Sequence, residues 1–316
     1  MTTLLQVKGL SKSFGAVRAV SNIDFTIREG HCVALLGPNG AGKTTTIRMI
    51  TGLLKQTSGK MEFQGAAEGV HYRSLIGYLP QSPSFYSWMT GSEYLIYAGQ
   101  LCGLSAATAK LRAKALLERV GISGAAKRRI GSYSGGMKQR LGLAQALVHQ
   151  PKLLVMDEPV SALDPLGRKE VLELLRELKQ ETTVLFSTHV LHDAEVLCDD
   201  VIIIRNGQVA LQGAIDRIRE NHRKPTIELQ VEQDEHSQRW MSTFSRRIQS
   251  LLNEKDEGAL FQDVQLQNGI ARFTVSEMDA ARRMLIEELA REQVKVSRLE
   301  VGHTSLEDLF MKVVTG

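Results

Sequence analysis

The chain has 316 residues, 43% of them hydrophobic and 23% charged, with a formal net charge of +4. That length supports one large domain and a smaller one, and the balance excludes disordered and fibrous proteins. The weak positive charge fits a solvated surface and singles out neither nucleic acid nor membrane. Cys32, Cys102 and Cys198 stand far apart in sequence with no metal-ligand spacing, which points to reduced thiols in a cytosolic setting. The N-terminus lacks the basic start and long apolar run of a signal peptide. No apolar run approaches the roughly 20 residues that cross a bilayer, so any membrane role is expected to come through a partner.

Residues 4–7 and 19–27 alternate apolar and polar side chains and read as a half-buried antiparallel pair. Residues 32–36 form a continuous apolar run, as in a strand buried on both faces. The run feeds a glycine-rich loop and then a helix over residues 43–51. Further buried strands are expected at 153–156, 183–186 and 201–204. Between them, residues 90–149 read as mostly helical, with helix-spaced apolar residues over 111–120 and 139–148. The pattern is that of a helical subdomain inserted into an α/β core.

A domain boundary is expected over residues 216–225, where a charged run ends at Pro225, which cannot continue a helix. Beyond it, residues 226–231 read as strand and 237–252 as helix. Residues 264–266 and 271–275 read as a hairpin turning at Asn268-Gly269, since Asn-Gly supplies the positive φ of a two-residue turn. A helix at 278–291 and a strand at 294–301 complete a βαββαβ order, that of a ferredoxin-like module. A last amphipathic helix covers residues 305–314.

Three motifs carry chemistry. Gly37-Pro38-Asn39-Gly40-Ala41-Gly42-Lys43-Thr44 fits the phosphate-loop pattern GxxxxGK[ST], between a strand and a helix as that motif requires. Its glycines let the backbone wrap phosphate with N–H groups pointing inward. Lys43 is placed to reach the β- and γ-phosphates of a nucleotide and the Thr44 hydroxyl to ligate Mg²⁺, with Thr45 next in the same turn. Residues 153–158, Leu-Leu-Val-Met-Asp-Glu, bring a buried strand out of the core with two carboxylates at its end. Asp157 is expected to hold Mg²⁺, largely through water, and Glu158 to orient and partly deprotonate an attacking water. Finally, Ser134, Gly135 and Gly136 leave free N–H groups at a helix N-terminus, a ready anion site. One phosphate loop and a second phosphate-seeking helix end elsewhere imply a site split between two parts.

In this order the motifs resemble the nucleotide-binding subunit of an ATP-binding cassette (ABC) transporter, over residues 4–213. The resemblance implies an α/β fold: a phosphate-loop NTPase core of ABC type with an antiparallel β subdomain and an inserted helical subdomain at about 90–149. A small C-terminal α+β domain follows. The ATP-binding domain is expected over residues 1–216 and an accessory or regulatory domain over 217–316. Gln81, in Gly77-Tyr78-Leu79-Pro80-Gln81, is similar to the glutamine that senses metal and water and contacts the membrane partner. Ser161-Ala162-Leu163-Asp164 resembles the loop along the cassette dimer interface, and His189 the switch histidine at the γ-phosphate. Phe14 resembles the aromatic that stacks on adenine. By the same resemblance, Glu158, His189 and Gln81 form the catalytic set, and Thr44, Gln81 and Asp157 the metal set. The cofactors are ATP and Mg²⁺. The implied partners are a transmembrane permease and a second cassette, most simply an identical chain, at the cytoplasmic membrane face, with no nucleic acid.

Tyr133 and Met137 flank the Ser134-Gly135-Gly136 core where leucine and glutamine are usual in the family. That variant, and the ending Thr304-Ser305-Leu306-Glu307-Asp308-Leu309-Phe310-Met311-Lys312, resemble the drug- and antibiotic-resistance exporter branch. A soluble cassette ATPase acting on ribosome or DNA is the alternative. Such proteins usually carry two cassettes or a long coiled-coil insertion, and the sequence has one phosphate loop and no such insertion.

Overall fold

The computed structural model describes residues 2–64, 72–161, 163–221, 223–253, 259–267 and 269–315. The expected turn residue Asn268 and the interface-loop residue Ala162 lie outside the described residues. The chain divides into two units, residues 1–216 with 313–316, and residues 217–312.

In the first unit, β1 (Thr3–Phe14) and β2 (Val17–Arg28) pair antiparallel. β3 (Cys32–Leu36), buried at every residue, runs into α1 (Lys43–Ile50), and β4 (Ser58–Phe63) returns to pair with β1. After β5 (Ile76–Leu79) come three helices, α2 (Gly91–Leu101), α3 (Ala106–Arg119) and α4 (Gly135–Leu147). α2 starts with a capping box: the Thr90 hydroxyl accepts from the Glu93 N–H at 3.2 Å and the Glu93 carboxylate from the Thr90 N–H at 2.8 Å. β6 (Leu153–Asp157), α5 (Pro165–Leu178), β7 (Thr183–Thr188), α6 (Leu191–Leu197), β8 (Asp200–Arg205) and β9 (Gln208–Ala214) follow.

The main sheet has the order β5-β6-β7-β3-β8-β9, parallel except for the antiparallel β8–β9 pair. Its central strands are apolar runs because both faces are covered, one of them by α1 together with β1 and β2; every residue of β3, β6 and β7 is buried. Leu36 pairs with Thr188 and Asp157 with Ser187. The carboxyl ends of β3, β6 and β7 therefore open at one level of the sheet, the edge where open α/β sheets bind ligands. Cys32 and Cys198, 166 residues apart in sequence, bring their sulfurs within 3.4 Å beside this sheet.

α7 (Ile215–Asn221) spans the boundary between the units, so part of the charged run read as a break is helical. The second unit then runs β10 (Pro225–Val231), α8 (Glu235–Asn253), β11 (Phe261–Gln267), β12 (Ile270–Val275), α9 (Met278–Arg291), β13 (Val296–His303) and α10 (Leu306–Thr315) as far as residue 312. Pro225 opens β10, a position where its missing N–H breaks no ladder bond. The sheet order β11-β12-β10-β13, antiparallel throughout, is the ferredoxin-like arrangement expected from the βαββαβ order. Its core centres on Phe244, Phe261 and Phe273, whose rings meet edge to face with centroids 5.5–6.2 Å apart. Among the described residues no helix is long and apolar enough to cross a membrane.

Phe186 on β7 is fully buried at the centre of the main sheet. Phe186→Ala is expected to cost about 3–5 kcal/mol of unfolding free energy, the range for truncating a buried aromatic. Urea titration checks this; a loss below about 1 kcal/mol contradicts the central placement of that strand.

Candidate active site

A groove of about 400 Å³ opens at the carboxyl ends of β3, β6 and β7, lined by Ala19, Asn39, Gly40, Gly42, Lys43, Thr44, Thr45, Gln81, Glu158 and His189. The loop from Gly37 to Gly42 forms its floor. At Gly37 a Cβ would lie 2.3 Å from the Ile204 carbonyl oxygen, so only glycine lets the loop leave β3 this closely packed. Gly42, with φ +107°, turns the chain into α1 through a region that favours glycine. Within the loop the Ala41 N–H donates to the Pro38 carbonyl at 3.2 Å, and the Ala41 carbonyl accepts from Gly207 at 3.0 Å. These bonds fix the loop from both sides and leave the α1 N-terminus facing the groove.

The Lys43 side chain is buried inside this loop, where Nζ donates to the carbonyls of Gly37 at 2.8 Å and Pro38 at 3.1 Å. Burial pushes its ammonium below the ordinary lysine value, and the Glu158 and Asp157 carboxylates partly offset that.

Asp157 closes β6 and is buried. Its Oδ1 accepts from the Ser187 hydroxyl at 2.6 Å and from the Thr44 hydroxyl at 3.2 Å. Ser187 also accepts from the Glu158 N–H at 3.0 Å, so one buried serine on β7 holds both acidic residues. Nothing in the sequence pattern marks it beyond its place at a strand end. Glu158 itself has φ +46°, a left-handed conformation that costs a non-glycine residue about 1–3 kcal/mol. Its carboxylate is the meeting point of the groove: Oε1 lies 3.3 Å from His189 Nδ1 and 3.9 Å from Lys43 Nζ, and Oε2 accepts from Gln81 Nε2 at 3.3 Å. Strain at this residue is repaid by an orientation that three side chains share. Ala19, from β2, forms a wall of the groove that no motif announced.

The remaining expected residues lie apart from this cluster. Ser134 caps α4, its hydroxyl accepting from the Met137 N–H at 3.2 Å, and Ser134 and Gly135 are exposed. The neighbouring Tyr133 is buried, with its hydroxyl donating to the Ala125 carbonyl at 2.7 Å, and so anchors this helix end. Gln139, further along α4, donates from Nε2 to the Pro159 carbonyl at 2.9 Å and ties the helix to the residue after Glu158. Asp164 caps α5, accepting from the Gly167 N–H at 3.0 Å, and is exposed. Neither Asp164 nor Ser134, Gly135 or Gly136 lines the groove. Phe14 ends β1 with its ring exposed and the Lys12 ammonium 5.0 Å from the ring centroid, and it does not line the groove either.

The arrangement is that of a glycine-rich loop facing a carboxylate-bearing strand end. Residues 20–161 match the family described as ABC transporter, and residues 213–314 match the C-terminal domain of DrrA1-3-like ATP-binding proteins. The ABC transporter ATP-binding protein YxlF of Bacillus subtilis is 45% identical over 98% of this chain and 99% of its own length. The bacitracin transport ATP-binding protein BcrA of Bacillus licheniformis is 32% identical over 100% of this chain and 99% of its own length. A solved ATP-binding subunit of an ABC transporter is 36% identical, with a TM-score of 0.62 over 69% of this chain and 92% of that one. The chain belongs to the ATP-binding subunits of ABC transporters and is an ATPase.

Proposed function

We propose that this chain powers an exporter: two copies sandwich ATP between them, and their closure and reopening drive a separate transmembrane subunit. The observation that carries this reading is the division of the phosphate-seeking groups. The Ser134 helix end is exposed, capped and outside the groove that gathers Lys43, Gln81, Glu158 and His189. Its free N–H groups suit a phosphate bound on another copy. The exposed Asp164 turn belongs to the same contact. In this reading residues 1–216 are the ATP-binding domain, with its helical subdomain at about 90–149, and residues 217–316 an accessory or regulatory domain.

In the groove, the loop N–H groups and Lys43 take the β- and γ-phosphates, Lys43 exchanging its carbonyl partners for phosphate oxygens. Glu158 holds the attacking water in line with the γ-phosphate and draws off its proton as the new O–P bond forms and the bond from the γ-phosphorus to the bridging oxygen breaks, releasing ADP. His189 and Gln81 fix the Glu158 carboxylate and sense the γ-phosphate, and Phe14 stacks on adenine. A Mg²⁺ ion fits the donors present: the Thr44 hydroxyl and Asp157 carboxylate lie 3.2 Å apart, with Gln81 on the same groove. Among the described residues no cluster of three acidic, histidine or cysteine side chains supplies an all-protein cage. That suits a Mg²⁺ that keeps waters and takes phosphate oxygens. Its role is to neutralise charge on the phosphates.

The membrane partner docks on the helical subdomain. An aromatic groove of about 400 Å³ lined by Tyr78, Tyr86, Tyr94, Tyr97 and Leu101, with Trp88 exposed beside Tyr86, offers apolar surface that a lone soluble domain rarely exposes. Its lining residues Tyr78 and Tyr86 flank Gln81 in sequence, so the partner and the ATP site share one segment. Export of a drug, peptide or lipid-like substrate is supported by the relative named for bacitracin transport and by others named for linearmycin resistance and Nod factor export. The chain then sits at the cytoplasmic membrane face, held there through that partner.

Glu158→Gln is expected to keep ATP binding, to lower hydrolysis about 100-fold or more, and to accumulate an ATP-bound dimer on size exclusion. Turnover at the parent rate contradicts the assignment. Phosphate contact raises the lowered Lys43 pKa, so nucleotide binding takes up protons as the pH approaches the free-state value from below. Calorimetry at alkaline pH in buffers of different ionisation heat is expected to show proton uptake. It should vanish in Lys43→Met measured at a nucleotide concentration that still binds; uptake unchanged in that variant contradicts the role.

A further inference from the structure

The Asp164 turn and the strand end bearing His189 are joined by an ion pair that the hydrolytic chemistry itself does not use. Arg168 lies on α5, one turn after Asp164, and its N–H donates to the Asp164 carbonyl at 2.9 Å. Its guanidinium reaches α6. Nη2 donates to the two Asp193 carboxylate oxygens at 2.7 and 2.8 Å, and Nε donates to Oδ1 at 3.2 Å. The Asp193 side chain is 0% exposed. Thr188 Oγ1 lies 3.5 Å from Asp193 Oδ2 and accepts from the Val190 N–H at 3.0 Å. Thr188 and Val190 are the two neighbours of His189, whose Nδ1 in turn lies 3.3 Å from Glu158. A continuous set of contacts thus runs from the Asp164 turn through Arg168, Asp193 and Thr188 to the backbone on both sides of His189.

With its carboxylate buried and its guanidinium partly exposed, such a pair gains little net stability, because desolvation of the carboxylate offsets most of the Coulombic attraction. What a planar guanidinium forked onto a buried carboxylate does supply is fixed geometry. We propose that Arg168 and Asp193 are positioning residues that make the placement of His189 against Glu158 depend on the placement of the Asp164 turn. This rests on the reading that the Asp164 turn meets a second cassette. Closure against that cassette, by setting Asp164, then sets His189 in the same chain. A chain with the link loosened keeps its phosphate loop, binds ATP and closes, but assembles the hydrolytic arrangement poorly.

The test uses the full-length chain and two replacements. Arg168→Lys keeps the charge beside buried Asp193 and loses the fork. The pair Arg168→Met with Asp193→Leu removes both charges, so neither is left uncompensated in the fold. Each is expected to lower kcat about 10-fold or more with KM for ATP changed less than about 3-fold, the signature of an interaction made only on the way to the transition state. In a Glu158→Gln background, both should still form the ATP-dependent dimer. The ¹³C-labelled His189 ring resonance, which shifts with ATP when the link is intact, should fail to shift in Arg168→Lys. A purely structural pair would lower the melting temperature and leave that resonance responsive. The proposal is overturned by a folded Arg168→Lys chain with kcat within about 2-fold of the parent, or with a normal His189 response. If Glu158→Gln alone forms no ATP-dependent dimer, the cassette-dimer reading fails instead.

Discussion

The register of three parallel strands is the constraint on which the site depends. β3, β6 and β7 pair so that Leu36 stands against Thr188 and Asp157 against Ser187. The phosphate loop leaves β3, the acidic pair leaves β6 and the histidine leaves β7, so this register alone brings them to one level. Each strand is buried on both faces, and a one-residue slip would exchange the side chains on its two faces and break their fitted packing. The core thereby fixes the geometry of a site built almost wholly from the segments just beyond it.

Within that frame, rigidity is concentrated at Glu158. Its backbone is in the left-handed region, its N–H is held by Ser187, and its carboxylate is approached by Lys43, Gln81 and His189. Ser187 spends its other bond on Asp157, so the two neighbouring carboxylates share one support. Gln139 reaches the same turn from α4 by way of the Pro159 carbonyl. The loop before α1, the acidic turn and the helix that begins at Ser134 are therefore linked by hydrogen bonds in one chain, although Ser134 itself does not line the groove.

Much of this was legible in the residues. The apolar run Cys32–Leu36 and the helix Met278–Arg291 match the sequence expectation at both ends because each has unambiguous periodicity and clear punctuation. β4 was not foreseen because Ser58–Phe63 is an exposed edge strand with no fully buried residue, and β5 because four residues around Gly77 give too short a pattern. α5 and α6 were passed over as the ground between motifs, although α5 buries Val171, Leu174, Leu175 and Leu178 at helical spacing. Of the groove, Lys43, Thr44, Gln81, Glu158 and His189 were readable as a set from their motifs, whereas Phe14, Ser134 and Asp164 lie outside it. Ser187, Gln139 and the Arg168–Asp193 pair were not readable, because their partners lie 20 to 30 residues away in sequence and only the fold brings them together.

The central claim is that the ATP site is shared between two chains, each lending its Ser134 helix end to the other's phosphate loop. Mixing two inactive variants tests it most directly: Lys43→Ala, which spoils the phosphate loop, and Ser134→Arg, which spoils the helix end. A mixed dimer then contains one site with both halves intact, made of Lys43 from one chain and Ser134 from the other. ATP hydrolysis that returns on mixing, and rises with the proportion of mixed dimer, is the predicted result. A mixture no more active than its components, or a Ser134→Arg chain that hydrolyses ATP normally by itself, would contradict the account.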